Sequence, residues 1–148
     1  MTLPISSKPI INSKDFELNQ ILERDSYYID NLKLCQIRLM DNSNYPWIIL
    51  VPTKPNLVEI TDLNDRDFDL LNQEIKKVAK LLQKEFNPDK LNIANIGNIV
   101  SQLHVHVIAR FKHDKLFPKT VWGSPLKHYD DQSLKEIIEI LRKNLALV

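Results

Sequence analysis

The sequence predicts an α+β domain in which an antiparallel meander of about five strands packs against one long helix, with a further helix at the C-terminus. Two kinds of hydrophobic pattern in the 148 residues predict this class. Short apolar or alternating segments bounded by turn residues are typical of antiparallel strands. Two longer segments, at 64–86 and 131–148, repeat their apolar residues at helical spacing. We expect a single domain over 1–148, with a core at about 16–111 and an extension at 112–148.

The first strands are predicted on both sides of a polar turn at 41–46. Over 27–40, apolar and polar residues alternate with the two-residue period of a half-buried strand. The alternating residues are Cys35, Gln36, Ile37, Arg38 and Leu39. Residues 47–51 are apolar on both faces and lie between Pro46 and Pro52, which is typical of a central strand. The first dozen residues carry no sustained period, and we expect an arm or loop there.

A long helix is predicted to begin after Asn64. Asn64 is a good N-cap residue, and Asp67 lies three positions later. Apolar residues then recur at helical spacing until Pro88 ends the pattern. They are Phe68, Leu71, Ile75, Val78, Leu82 and Phe86. We expect this face of the helix to pack on the sheet.

Two more strands are predicted at 91–96 and 103–111, with a short loop between them. Gly97, one of only two glycines, lies in that loop and indicates a positive φ or the close approach of another group. The C-terminal segment returns to helical spacing. Its periodic residues are Leu134, Ile137, Ile138, Leu141 and Leu145.

The composition restricts the possible partners and the cellular location. Lys and Arg number 20 against 19 acidic residues, a net charge of +1, so no overall field attracts nucleic acid or anionic lipid. Cys35 is the only cysteine, which excludes an intramolecular disulfide. The longest apolar run, 47–51, is far shorter than the about 18 residues that span a bilayer, and the first residues lack the pattern of a signal peptide. We expect a cytoplasmic protein that binds neither nucleic acid nor a membrane.

Two histidines on one strand are the main candidates for chemistry. In the segment 102–108, Gln102, His104 and His106 share one face, and the opposite face is apolar. We expect the apolar face to be buried and the polar face to line an open groove, with the imidazoles about 7 Å apart. Imidazole is substantially neutral near pH 7, so one ring can attack phosphorus while the other donates a proton or a hydrogen bond. The first bond formed would be a phosphoramidate.

The same pattern allows two other interpretations. Histidines two residues apart on a strand are also good metal ligands, and buried histidines often only bond to backbone carbonyls. Zinc commonly takes three or four protein ligands, and Cys35, His113 and His128 form no second compact cluster in the sequence. Acidic residues could complete a site. The pattern alone therefore leaves catalysis, metal binding and a structural role open.

The segment 102–108, followed by Ala109 and Arg110, resembles the His-φ-His-φ-His-φ-φ signature of the histidine triad family, with glutamine in the first place. The predicted order of elements is similar to that of the family from about 16 to 111. The resemblance implies attack by the middle histidine, His104, on the α-phosphate of a nucleotide conjugate, which forms a covalent nucleotidyl-histidine. The conjugate would be a dinucleoside polyphosphate or a nucleoside phosphoramidate. His106 would contact the phosphate or leaving group and assist proton transfer.

The resemblance also implies a homodimer, no cofactor or metal in the covalent step, and further substrate-binding residues. Asp41 matches an acid that often holds the ribose hydroxyls, although an aspartate that caps a turn fits equally well. Asn95 resembles the asparagine before the phosphate loop, or is a hydrogen-bonding residue at a strand end. Ser101, in a shorter loop than usual, is a candidate hydroxyl for the phosphate or a simple turn serine.

Several residues depart from the family pattern. Gln102 carries no titratable proton, although its amide could orient His104 or a phosphate oxygen. Pro46-Trp47 stands where many members have Gly-His. Arg110 has the forked donors that suit phosphate, and Trp122, in a loop bounded by Pro and Gly, could stack on a base or fill the core. The segment 117–123, which contains Trp122, resembles, together with Arg110 and Asp114, the tail of a bacterial subgroup of the family.

Two functions remain beside the hydrolase or transferase. One is a nucleotide-binding regulatory module with little turnover, which Gln102 and the short loop before it make plausible. The other is a metal-binding protein that uses His104 and His106.

Overall fold

The computed structural model describes residues 15–148, so the arm expected in the first dozen residues lies outside the described part of the chain. The strands are β1 Ser26–Asn31, β2 Cys35–Met40, β3 Trp47–Pro52, β4 Lys90–Ala94 and β5 Val105–Arg110. The helices are α1 Gln20–Asp25, α2 Asp65–Phe86 and α3 Asp131–Leu145, with a single 3₁₀ turn at Ile60–Asp62. The strands form one antiparallel sheet in the order β1-β2-β3-β5-β4. The predicted α+β class is confirmed.

The segment predicted to alternate over 27–40 forms the hairpin β1–β2. The expectation of a half-buried strand is wrong for β2, because Gln36 and Arg38 are only 1% and 5% exposed. Arg38 donates to the amide oxygen of Gln36 and to the hydroxyl and carbonyl oxygens of Ser26. These bonds allow the polar side of β2 to be buried. Burial also lowers the pKa of Arg38 to about 10.

The central strand β3 is confirmed. It pairs with β2 on one side and β5 on the other, and all its residues are buried. Its register sets Ile49 opposite His106. Trp47 lies two residues before Ile49 and therefore on the same face of the sheet.

The long helix α2 begins as predicted, because the Asn64 side chain accepts a hydrogen bond from the Asp67 N–H at 2.8 Å. It ends at Asn87, which adopts the left-handed conformation (φ 47°) just before Pro88. Phe68, expected on the packing face, is 38% exposed. Polar residues occupy part of that face instead.

Two of these polar residues of α2 have specific partners. Asp67 forms an ion pair with Lys54, and the Glu74 carboxylate accepts hydrogen bonds from the N–H groups of Leu34 and Cys35. Burial raises the pKa of Glu74, although these hydrogen bonds oppose the rise. Glu74 thereby attaches the turn between β1 and β2 to the helix.

Buried apolar residues lie on both faces of the sheet. On one face, α2 and α3 cover the larger cluster, which includes the predicted apolar side of the histidine strand. The opposite face carries a second cluster: Leu22, Tyr45, Trp47, Ile49, Val51, Val100, Ile108 and Val121. Leu22 belongs to α1, a short helix that the sequence analysis did not predict. His106, which is paired with Ile49 of this second cluster, therefore lies on a face of the sheet that is covered by other residues.

None of the helices within 15–148 is both long and apolar enough to cross a bilayer.

Candidate active site

The two candidate histidines lie at the start of β5. His106 is inside the strand and His104 is the residue just before it. Each is only 6% exposed, so the prediction of an open groove is wrong for the described chain. Their ring centroids are 4.9 Å apart, closer than predicted from strand rise. Because His104 precedes the strand, ideal strand geometry does not govern the spacing of the two rings.

The orientation of His104 is set by a backbone carbonyl. Its Nδ1 lies 2.7 Å from the carbonyl oxygen of Gln102. A carbonyl only accepts hydrogen bonds, so this contact requires the proton of a neutral ring to be on Nδ1. The lone pair is then on Nε2, which makes no hydrogen bond within 15–148. His104 thus has the protonation pattern of a nucleophile.

His106 has the opposite pattern. The indole N–H of Trp47 donates to its Nδ1 at 2.9 Å, and indole nitrogen can only donate. A neutral His106 therefore carries its proton on Nε2. Burial, together with the neighbouring His104, lowers the pKa of His106 to about 4, so this ring is neutral near pH 7.

The Gln102 side chain is occupied by the segment before α1. Its Oε1 accepts from the Asn19 N–H at 2.9 Å, and its Nε2 donates to the Glu17 carbonyl at 2.9 Å. The main-chain carbonyl of Gln102, and not the amide that we expected, orients His104. The glutamine side chain instead fixes residues 17–19 beside the site.

The loop of Trp122 reaches the histidines. The Trp122 ring meets His106 edge to face, with centroids 5.3 Å apart, and meets Trp47 at 5.7 Å. It remains 38% exposed. The following segment is tied to the turn after β2, since the Ser43 N–H donates to the Lys127 carbonyl at 2.7 Å. Of the two possibilities for Trp122, the structure favours a partly open ring at the site over a residue that fills the core.

Asp41 is bonded to the C-terminal extension. Its carboxylate accepts from the Tyr129 N–H at 3.0 Å, lies 2.6 Å from His128 Nδ1, and accepts from the Tyr27 hydroxyl at 3.3 Å. The turn itself is capped by Asn42, whose side chain accepts from the Asn44 N–H. Contact of Asp41 with a ribose stays a prediction.

In the loop before the histidine strand, the predicted positive φ and close approach at Gly97 are both confirmed. Gly97 has φ +75°, and an added Cβ would lie 3.2 Å from the Val100 carbonyl oxygen. Asn95 extends its amide toward the His104 carbonyl at 3.5 Å, a long contact. Ser101 is exposed directly before Gln102. Both residues border the site, and their contact with substrate stays a prediction.

Arg110 is buried rather than exposed at a strand end. It is 1% exposed and forms two hydrogen bonds, at 2.9 and 3.0 Å, with the Asp114 carboxylate. A third bond, 2.9 Å long, goes to Asn92, and the guanidinium lies over the rings of Tyr45 and Phe117. Arg110 therefore has a structural role in place of the predicted phosphate contact.

The partner carboxylate, Asp114, holds the loop after β5. Burial raises the pKa of Asp114, but hydrogen bonds from Arg110 and from main-chain N–H groups of the loop outweigh it and keep this pKa well below its usual range. The loop that leads toward Trp122 is thus anchored by an ionised carboxylate.

Within 15–148, no three side chains of His, Cys, Asp or Glu are grouped so that they could hold a metal ion. His113 and His128 are both exposed. His128 contacts Asp41, and Cys35 is buried.

Trp47 is a site residue, through its bond to His106, that the sequence did not predict. We noted Pro46-Trp47 only as a departure from Gly-His. The available signal was the strand pattern, which allows Trp47 and His106 to share a face if their strands are neighbours.

The comparison with protein families identifies the chain. The model of the HIT domain matches residues 22–113. The chain belongs to the histidine triad family. HIT proteins are nucleotide-binding hydrolases and transferases. The predicted family membership is confirmed.

Solved structures of other HIT proteins are similar over most of the chain. A histidine triad protein of Bradyrhizobium japonicum is 38% identical, with a TM-score of 0.86, and the match covers 88% of this chain and 98% of that one. A histidine triad protein of Sinorhizobium meliloti is 39% identical, with a TM-score of 0.85, and the match covers 88% of this chain and 97% of that one. A histidine triad protein of Marinobacter aquaeolei is 32% identical, with a TM-score of 0.86, and the match covers 89% of this chain and 97% of that one. The comparison with curated proteins found no match.

Proposed function

We propose that this HIT protein is a hydrolase or transferase that acts at the α-phosphate of a nucleotide conjugate through a covalent nucleotidyl-His104. The opposite protonation of the two neighbouring imidazoles carries this proposal. His104 has a lone pair on Nε2, whereas His106 has a proton there, and the rings are 4.9 Å apart. A nucleophile and a hydrogen-bond donor thus lie side by side.

In the first step, Nε2 of His104 attacks the α-phosphorus. The N–P bond forms as the bond from phosphorus to the leaving group breaks, and the electron pair of that bond departs with the leaving group. The proton on Nδ1 stays in place, so the modified ring is an imidazolium. The Gln102 carbonyl, 2.7 Å away, stabilises this positive charge.

In the second step, water or another hydroxyl attacks the phosphorus. The N–P bond breaks, its electron pair returns to Nε2, and the acceptor loses its proton to solvent. His106, neutral near pH 7, donates its Nε2–H to a phosphoryl oxygen in both steps.

Near pH 7, neither His106 nor Gln102 holds a titratable proton that it could give to the leaving group. The pKa of His106 is about 4 and Gln102 has no titratable proton. A phosphate leaving group departs without prior protonation, whereas an amine needs a proton. We therefore propose dinucleoside polyphosphates over phosphoramidates as the preferred substrates.

Several surrounding groups are suited to binding the nucleotide. The partly exposed ring of Trp122 offers a flat surface for a base. Ser101 and Asn95 border the histidines, and Asp41 is the candidate for the ribose. The homodimer, the single-domain organisation and the cytoplasmic location are further parts of the proposal.

A regulatory module with little turnover is the second candidate. The burial of both histidines, each 6% exposed, favours it, because substrate must gain access past the covering groups. A slow or absent turnover with tight nucleotide binding would support this alternative.

Turnover measurements separate the two candidates. Purified protein is incubated with a diadenosine polyphosphate and, separately, with adenosine phosphoramidate, each with and without a chelator. We expect release of nucleotide that is faster from the polyphosphate, that persists with the chelator, and that is lost in His104→Ala. The control, His113→Ala, alters an exposed histidine away from the site and should keep the wild-type rate. Binding without release from either substrate would favour the regulatory module.

A further inference from the structure

The contact between Trp47 and His106 joins the first residue of β3 to the second residue of β5. The indole nitrogen and the imidazole Nδ1 are 2.9 Å apart, and the two residues are 7% and 6% exposed. The ring centroids are 5.7 Å apart at an interplanar angle of 61°. The bond is therefore shielded from water, which strengthens it.

The chemistry of the two groups fixes the indole as the donor and the imidazole as the acceptor of this hydrogen bond. Indole has an N–H and no nitrogen lone pair that accepts, so His106 must supply the acceptor. A proton on Nδ1 would set two N–H groups against each other in a buried place, and an unsatisfied buried donor costs about 1–3 kcal/mol. The contact is compatible only with His106 protonated on Nε2 alone.

The surroundings hold the indole in place. Trp47 belongs to the second hydrophobic cluster, and the ring of Trp122 packs against it. The backbone before it is fixed by the Ala109 N–H, which donates to the Pro46 carbonyl at 2.9 Å. Within 15–148, the charged or titratable group that faces His106 is His104.

We propose that Trp47 is a positioning residue that holds His106 as the neutral tautomer with its proton on Nε2. In the proposed reaction this tautomer is the one that can donate to a phosphoryl oxygen. The catalytic consequence rests on the proposed function, whereas the tautomer itself can be measured without any substrate.

The test is nuclear magnetic resonance of protein labelled with ¹⁵N in histidine and tryptophan. In the wild type we expect His106 to show a protonated Nε2, an unprotonated Nδ1 and a coupling across the hydrogen bond to the Trp47 indole. This measurement does not depend on any variant being stable. A proton on Nδ1, or on both nitrogens near pH 7, would overturn the proposal.

Trp47→Phe retains an aromatic ring but removes the N–H donor, together with part of the ring volume. We expect a mixture of His106 tautomers, a higher pKa of His106, and a kcat lowered about tenfold with KM nearly unchanged, because one buried hydrogen bond is lost. The matched control is Trp122→Phe, which alters the other tryptophan on His106 and should leave the tautomer as in wild type. Equal tautomer changes in both variants would refute the proposal, since ring packing would then explain them.

The two proposals fail in different ways. If no substrate is turned over but His106 has the expected tautomer, the proposed function fails and the assignment of Trp47 to the tautomer stands. If turnover requires His104 but Trp47→Phe leaves the tautomer unchanged, the role of Trp47 is refuted and the proposed function stands.

Discussion

Asp114→Asn is expected to destabilise the protein because it leaves Arg110 as an unpaired buried cation. The Asp114 carboxylate accepts two hydrogen bonds from the guanidinium and three from the N–H groups of Phe111, Leu116 and Phe117. An asparagine has the same shape but only one accepting oxygen and no charge. The substitution therefore removes both the ion pair and part of the cap on the loop.

The burial of both partners sets the size of the effect. The side chains of Arg110 and Asp114 are 1% and 7% exposed, so solvent screens the pair only weakly. Removing one partner of a buried ion pair costs about 3–5 kcal/mol. The remaining amide oxygen can still accept some of these hydrogen bonds, which places the expected loss near the lower end, at about 3 kcal/mol.

Urea denaturation at neutral pH measures this loss. We expect a lower urea concentration at the midpoint of unfolding, with an unchanged dependence of the free energy of unfolding on urea concentration. The control is Asp25→Asn, which removes an ion pair with Arg24 whose side chains are 70% and 42% exposed. Because solvent screens an exposed pair, the loss in this control should be much smaller. Equal losses in the two variants would refute the reasoning from burial.

The pH dependence gives a second check on Asp114. Its pKa is lowered in the folded protein, so the ionised form adds stability above the unfolded value of about 3.9, and this stability is lost as pH falls toward the folded pKa. The difference between wild type and Asp114→Asn should therefore be constant from about pH 5 to 8 and shrink below about pH 4. A difference that disappears near neutral pH would contradict the assignment.

Two further predictions concern His106 and Glu74. The pKa of His106 is about 4, so the protonation of His106 should contribute no inflection to kcat/KM between about pH 6 and 8; an inflection there that is absent from His106→Asn would contradict this. Glu74→Ala should lower the free energy of unfolding by about 3 kcal/mol, because it leaves the buried N–H groups of Leu34 and Cys35 without an acceptor. Urea denaturation checks this, with exposed Gln73→Ala on the same helix as the control, and a similar small loss in both variants would count against it.

Periodicity predicted the parts of the fold in which burial follows one simple pattern. The central strand is apolar on both faces, and α2 has a good N-cap in Asn64 and a stop before Pro88. The histidine strand was predicted for the same reason, because its apolar face packs on the larger cluster. Each of these patterns is local in the sequence, so it is visible before the fold is known.

Buried polar groups were not predictable in this way. Arg38 and Glu74 are buried because partners distant in the sequence satisfy them, and Arg110 is buried because Asp114 in the following loop and Asn92 on the neighbouring strand satisfy it. Hydrophobic periodicity says nothing about any of these partners. We therefore predicted solvent exposure from the polarity of four residues that the structure buries. They are Gln36, Arg38, His104 and His106. The hydrogen bond from Trp47 to His106 could not be predicted from the sequence for the same reason, since it depends on the pairing of β3 with β5.

The covalent step on His104 is tested most directly by the mass of the intact protein after brief incubation with a diadenosine polyphosphate and quenching at alkaline pH. We expect a transient increase equal to one nucleotidyl group, located by peptide mapping to His104, in wild type and His113→Ala but not in His104→Ala. Nucleotide release by the wild type with no such adduct at any reaction time, or an adduct that persists in His104→Ala, would contradict the account.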